Sequence, residues 1–510
     1  MSQQLVQLSG RTRAPGNLGF VRFREVNGRI LLTNQIGDWL FVSKDEFASM
    51  YGGRVEPGTE LHERLGKARM LKDRTVVEAQ AERFKARRTF LDYGPNLHIM
   101  IVTLRCNETC VYCHASRADM HETSTDMTPE IAEKTVDLIL QSTSPSMTIE
   151  FQGGEPLANF PVVKHVIEYA LERNRAYGKT LEFTMVSNLS LMDEDKLKFL
   201  LEHKVQICTS IDGPEMLHNK QRKLVVTDVN GKKVNESAFA KAAFWIKRIN
   251  EAYVEMGLDP VLYHVEALLT TTRETLKYPK EVVDTYVDLG CRALFLRPVD
   301  PFGFASHASA AIEYMRSDYL SFYTAAVDHI LELNRKGVQV LERFGAIFLT
   351  KILQGEDPNF LDIRNPCGAG IGQVAYNYDG RIFTCDEGRM VHQMGDSFFE
   401  IGRVGETTYR ELMKHDTVKA LTIASNLDAQ PDCVNCAYNP YCGVCPVHNY
   451  TSQGSIHGRM RESTLCAVHK GIQDYLFTKL SSGDEFIEET FKRWTLVRER
   501  THFLQACAAS

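Results

Sequence analysis

Residues 97–116 read LHIMIVTLRCNETCVYCHAS: an unbroken apolar run that stops at a loop holding Cys106, Cys110 and Cys113 in C-x3-C-x2-C spacing. A run of that length and composition predicts a strand buried on both faces. Outward from it the same rhythm repeats. Strands are predicted at 97–104, 147–151, 181–186, 205–211, 261–269 and 292–297, with amphipathic helices between them. Six such alternations imply parallel strands joined by right-handed crossovers, in an α/β open sheet or partial barrel. The residues with unusual chemistry fall at strand ends: Cys106, then Gly153, then Ser187 and Asn188, then Ser210 and Asp212. In parallel α/β architectures the carboxyl end of the strands is where sites are built.

Three thiolates from one short loop can hold three irons of a 4Fe–4S cubane and leave the fourth open to another ligand. With His114 adjacent, the same loop could instead be a zinc site. The chain has 510 residues, 13 of them cysteine, and its first residues contain no apolar signal core. Free thiols for metal or catalysis are therefore expected rather than a disulfide framework, and the cytoplasm rather than an export route. No stretch approaches the apolar length of a membrane span. A net charge of −6 predicts no general affinity for nucleic acid or for a membrane surface. Cys208, Cys291 and Cys507 stand alone and are read as unliganded.

The segment LRCNETCVYCHASR at 104–117, followed by FQGGEPL at 151–157, resembles the signature of the radical S-adenosylmethionine (radical SAM) enzymes. That resemblance implies a partial (β/α)6 barrel over 96–355. It also implies a cluster on Cys106, Cys110 and Cys113 whose open iron chelates S-adenosylmethionine, split on reduction to methionine and a 5′-deoxyadenosyl radical. By the same resemblance Tyr112 would pack near adenine, and Gly153, Gly154, Glu155 and Pro156 would hold the methionine amino group. Ser187, Asn188 and Ser210 would bind ribose or carboxylate, and Arg222 would reach the carboxylate. For Asn188 and Arg222 a structural role stands beside the binding role.

A second cysteine set comprises Cys367, Cys385, Cys433, Cys436, Cys442, Cys445 and Cys466. It is similar to the SPASM extension, which holds two auxiliary 4Fe–4S clusters, and is expected over 356–475. By that pattern Cys433, Cys436, Cys442 and Cys466 complete one cluster, and Cys367, Cys385 and Cys445 hold the other without an evident fourth ligand. The pattern departs from the family at Gly443 and Val444, where two residues rather than three separate the last cysteines of the central run. A zinc ribbon from the two C-x2-C pairs is the competing reading. Asp386, next to Cys385, stands where sulfatase-maturing members carry a catalytic base; hydrogen bonding within the loop is the alternative role.

Residues 1–95 hold 16 Lys and Arg against 11 Asp and Glu. Within them, apolar runs at 20–23, 30–32 and 39–42 and a capping box from Ser43 to Glu46 predict a small strand-and-helix module over 1–71. It resembles the winged-helix-like leader-recognition domains of peptide-maturation systems, which implies uptake of a precursor peptide along a strand edge. Residues 72–95 read as a linker helix, residues 225–234 as a hairpin turned by Asn230 and Gly231, and 476–510 as a helical tail. Within the superfamily the wording resembles the maturases of the His-Xaa-Ser peptide system. The partners implied are a ribosomally made precursor, a second radical SAM maturase and a flavodoxin- or ferredoxin-type electron donor. The alternatives are an anaerobic sulfatase-maturing enzyme and, from another class, a non-catalytic iron–sulfur electron carrier.

Overall fold

The computed structural model describes residues 17–505 apart from 75–76, 228–232, 307–311, 359–362 and 497–499. Cys507 and the turn at Asn230 and Gly231 lie outside the described residues.

The chain begins with an antiparallel meander, β1 (Arg22–Val26), β2 (Arg29–Thr33) and β3 (Trp39–Val42). Asn27 and Gly28 turn the first hairpin with φ of 49° and 76°, the left-handed pair that matches strand twist. Helices Lys44–Tyr51 and Glu60–Lys67 follow, and the Ser43–Glu46 capping box is formed in both directions. Leu32, Val42, Leu65 and Met70 build a small core of their own. The run at 20–23 enters the first strand at Arg22. Phe20 and Phe23 are about half exposed while Arg22 points inward, because its Nε donates to the Val434 carbonyl at 2.7 Å. The segment 72–95 is not one helix: among the described residues only Val77–Ala86 is α-helical, between two short 3-10 turns.

The main sheet starts with β4 (Leu97–Thr103); the cysteine loop forms β5 (Glu108–Cys110), and the sheet resumes with β6 (Ser146–Gly153), β7 (Thr180–Val186) and β8 (Gln206–Ser210). Strands β9 (Arg222–Thr227) and β10 (Lys233–Glu236) form the predicted hairpin. Then come β11 (Glu266–Thr271), β12 (Ala293–Pro298) and the short β13 (Leu341–Glu342). Strands β4, β6, β7, β8, β11, β12 and β13 lie side by side in that order, all parallel, with buried apolar residues such as Met100, Ile149, Phe183, Ile207 and Leu296 under the crossover helices. The fifth repeat starts later than predicted. Residues 261–263 are held in a turn, where the Leu262 and Tyr263 amides donate to the Asp259 carbonyl, and pairing begins only at Glu266.

The cysteine-rich segment continues this sheet. Strand β14 (Gln373–Tyr376) pairs in parallel with β4, and β15 (Arg381–Phe383) and β16 (Glu400–Arg403) follow antiparallel. His98 on β4 and Tyr376 on β14 meet at 3.2 Å inside that junction. Helix Thr464–Leu480 then runs back to the meander, where Asp474 accepts from Nε and Nη2 of Arg24 and Phe477 meets Trp39 edge-on. Among the described residues no helix is long and apolar enough to cross a membrane.

Candidate functional site

The carboxyl ends of β4, β6, β7 and β8 open onto a cavity of about 510 Å³. Cys106, Cys110 and Cys113 line it together, with Tyr112, Gly154, Ser187, Asn188, Ser210 and Arg222. Burial pushes the Cys106 and Cys110 thiols upward, with Cys106 further raised by Glu155 and Glu108 and Cys110 partly offset by Arg222.

The loop is held from three sides. Backbone amides of Gly154 and Glu155 donate to the Thr103 and Arg105 carbonyls at 2.9 and 2.8 Å. A Cβ on Gly153 would stand 2.0 Å from the Thr103 oxygen and one on Gly154 2.3 Å from the Leu104 oxygen, so only glycine allows this approach. On a second side β5 pairs with β9, with Cys110 opposite Arg222. On the third, Phe304 donates its amide to the Cys113 carbonyl at 2.8 Å, and Gly303 lies against the backbone of Cys113 and His114.

Several predicted binding residues are engaged with one another. The Glu155 carboxylate, fully buried, accepts from the Ser187 hydroxyl at 2.7 Å and from the Asn188 and Leu157 amides at 2.7 and 3.0 Å. It therefore ties the end of β6 to the end of β7, and burial raises its pKa to about 7 despite those donors. Pro156 opens the short turn that follows. Asn188 Nδ2 lies 3.8 Å from the Cys106 sulfur. The Tyr112 hydroxyl donates to Asp212 at 2.6 Å, and Arg222 spans Asp212, Glu108 and the Cys110 sulfur at 3.2, 3.8 and 3.7 Å. Glu108 was invisible as a site residue in the sequence, although it sits inside the C-x3-C spacing; it is 2% exposed and burial lifts its pKa to about 7 against the pull of Arg222.

Asp386 lines the same cavity, at the first turn of helix Asp386–Gln393, and accepts from Arg389 Nε at 2.7 Å. Glu150, Cys208, Glu266 and Arg343 line it as well. Nothing in the short-range pattern marked Glu150, Cys208 and Glu266 as site residues beyond their places on predicted strands, and Arg343 opens the helix Arg343–Leu349, outside any predicted strand.

Residues 100–248 match the sequence model of the Radical SAM superfamily. The chain has a radical SAM core. A cysteine-type anaerobic sulfatase-maturating enzyme of Clostridium perfringens is 25% identical over 387 residues, covering 74% of this chain and 94% of that enzyme. A serine-type counterpart of Bacteroides thetaiotaomicron is 21% identical, covering 71% and 86%. Among solved structures, native anSMEcpe with bound AdoMet and Kp18Cys peptide superposes with a TM-score of 0.61 at 22% identity, over 78% of this chain and all of that one. Streptococcus suis SuiB bound to S-adenosylmethionine superposes with a TM-score of 0.50 at 14% identity, over 87% and 98%.

A radical SAM core uses a 4Fe–4S cluster and S-adenosylmethionine, and the donor set here suits them: three thiols of one loop at the edge of a roomy cavity with both polar and apolar walls. Beyond this core, Cys433, Cys436, Cys442 and Cys466 line one small cavity, where burial first and the neighbouring thiols second raise the pKa values of Cys433, Cys442 and Cys466. Cys367, Cys385 and Cys445 pack in a second group, and Cys445 also borders the first cavity. Cys385 and Cys445 each cap a helix, accepting from the Gly388 and His448 amides at 3.3 and 3.4 Å. A helix amino end favours the thiolate that a metal needs. Among the described residues no three or more Cys, His, Asp and Glu converge as tightly as a single metal ion would require.

Proposed function

We propose that this radical SAM enzyme modifies a ribosomally made peptide, in a His-Xaa-Ser maturation system, with Cys106, Cys110 and Cys113 holding the S-adenosylmethionine-binding cluster. The observation that carries the reading is that this cysteine loop and Asp386 line one cavity. With cluster and S-adenosylmethionine bound, the site supplies hydrogen-atom abstraction from a substrate. Arg222 holds a positive charge beside the Cys110 sulfur, and Asn188 offers an amide to Cys106. Ser210 and the backbone at Gly153 and Gly154 are the groups left to orient the methionine and ribose parts, since Ser187 and Glu155 are spent on each other. Asp386, held by Arg389, is the base that would accept a substrate proton. Cys433, Cys436, Cys442 and Cys466 would hold one auxiliary cluster and Cys367, Cys385 and Cys445 the other, with electrons entering from a flavodoxin- or ferredoxin-type donor.

A groove of about 420 Å³ runs beside β3 and is lined by Arg64, Lys67, Arg69 and Arg83. Among the described residues β3 is the edge strand of its sheet, and an edge with basic neighbours suits an acidic leader added as a further strand. Formylglycine formation on a sulfatase is the second reading, favoured by the similarity along nearly the whole length of the Clostridium perfringens enzyme.

The test is anaerobic co-expression of the full chain with a leader-bearing His-Xaa-Ser polypeptide in one arm and a cysteine- or serine-bearing sulfatase peptide in the other, followed by mass spectrometry. Modification of the first alone is expected. Formylglycine in the second alone selects the sulfatase reading, and S-adenosylmethionine cleavage with neither peptide changed overturns both.

A further inference from the structure

A second cavity, of about 360 Å³, lies at the amino ends of β11 and β12. Its lining includes His264, Glu266, Arg292, Arg343, Arg493 and Arg500. Four guanidiniums thus face one carboxylate, the only acidic group among the described lining residues. Glu266 is already committed: Arg343 and Arg500 donate to it at 2.8 and 2.6 Å. Burial would raise its pKa, but those two cations hold it down to about 2. Arg292 donates only to the Val287 and Cys291 carbonyls, and Arg493 to Asn334 and Thr490; among the described residues neither forms an ion pair.

The cavity also holds buried polar groups that have no partner among the described residues. His264 is 7% exposed, and both its ring nitrogens lack a partner there; Trp494 is 5% exposed and its indole N–H lacks one. Buried polar groups left unpaired are costly and uncommon, and two of them in one cationic cavity mark a place where an acceptor belongs. Leu262, Val340 and Ile347 give the wall an apolar part, beside the polar Asn334, Gln339 and Thr350. The volume is that of a small-molecule site.

We propose that this cavity binds a small ligand carrying an oxyanion, a phosphate or a carboxylate, on an apolar body. Arg292, Arg493 and His264 take the anion, and the Trp494 side packs the body. Because Glu266 and Arg343 line this cavity and the cysteine-lined one alike, the two sites share a wall.

The experiment is isothermal titration of the anaerobically reconstituted full chain with phenyl phosphate and, separately, benzoate, with phenol as the uncharged control. Saturable binding of at least one anion and none of phenol is expected, and the stronger of the two identifies the oxyanion. Arg493→Gln and Arg292→Gln should each weaken it about tenfold, the loss of one charge-assisted hydrogen bond, with S-adenosylmethionine cleavage unchanged. If the unmodified chain binds neither anion, or if both variants bind as tightly as it does, the proposal is wrong.

Discussion

Arg222 Nε lies 3.2 Å from Asp212 Oδ2, in a pair whose side chains are 10% and 0% exposed. The pair joins the end of β8 to the strand that backs Cys110, and Tyr112 closes it by donating to both Asp212 oxygens. Removing one charge from a buried pair strands the other. Asp212→Asn should therefore cost about 3–5 kcal/mol in denaturant unfolding. Tyr112→Phe, which loses one hydrogen bond and keeps the ring, should cost about 1 kcal/mol. Equal costs for the two variants would show that the pair does not anchor the loop.

Metal content tests the cysteine grouping. Three cubanes call for about twelve irons in the anaerobically reconstituted chain, and joint replacement of Cys106, Cys110 and Cys113 by Ala should remove about four of them together with all S-adenosylmethionine cleavage. Stoichiometric zinc with little iron would sink the assignment.

Asp386→Asn separates a base from an anchor. As the base, Asp386 can be lost with full iron content and continued S-adenosylmethionine cleavage, while peptide modification falls about 10²–10⁴-fold. As a mere partner for Arg389, its loss should lower iron content or soluble yield, because Arg389 is 1% exposed and would be left with an unmatched charge.

The groove beside β3 is best probed by single substitutions, since the meander is bolted to the body through Arg24, Thr33 and Trp39 and its deletion would bare an apolar surface. Lys67 is exposed on the groove wall. Lys67→Glu should weaken precursor binding about tenfold and leave S-adenosylmethionine cleavage without substrate intact. Unchanged affinity would remove the groove as the docking site.

His98 sets a pH dependence at the β4–β14 junction. Burial lowers its pKa from 6.5 to about 4 in the folded chain. The unfolded chain takes a proton below about pH 6.5 that the folded chain refuses, so stability falls as pH drops from 6.5 and levels off below about 4. The contribution lost by pH 5 is about 2 kcal/mol. His98→Gln should flatten that part of the stability profile; an identical slope would mean that His98 keeps its ordinary affinity for protons.

The amino-acid sequence by itself determined the repeating strands, the cysteine loop after the first of them, and the glycines after the second. These are short-range properties: short apolar runs alternating with amphipathic stretches are read from neighbours along the chain, and three cysteines within eight residues cannot be far apart. The Ser43 cap and the Asn27–Gly28 turn were legible for the same reason. Only the tertiary structure decided that Arg222 stands opposite Cys110, that β14 extends the sheet beside β4, and that Asp386 shares a cavity with Cys106. Those relations join residues more than a hundred positions apart. Strand register and helix docking set them, and both follow from how the whole core packs rather than from any local pattern. The same holds for Glu155, whose motif announced a ligand contact but whose buried carboxylate is taken up by Ser187 and Asn188 once β6 and β7 lie side by side.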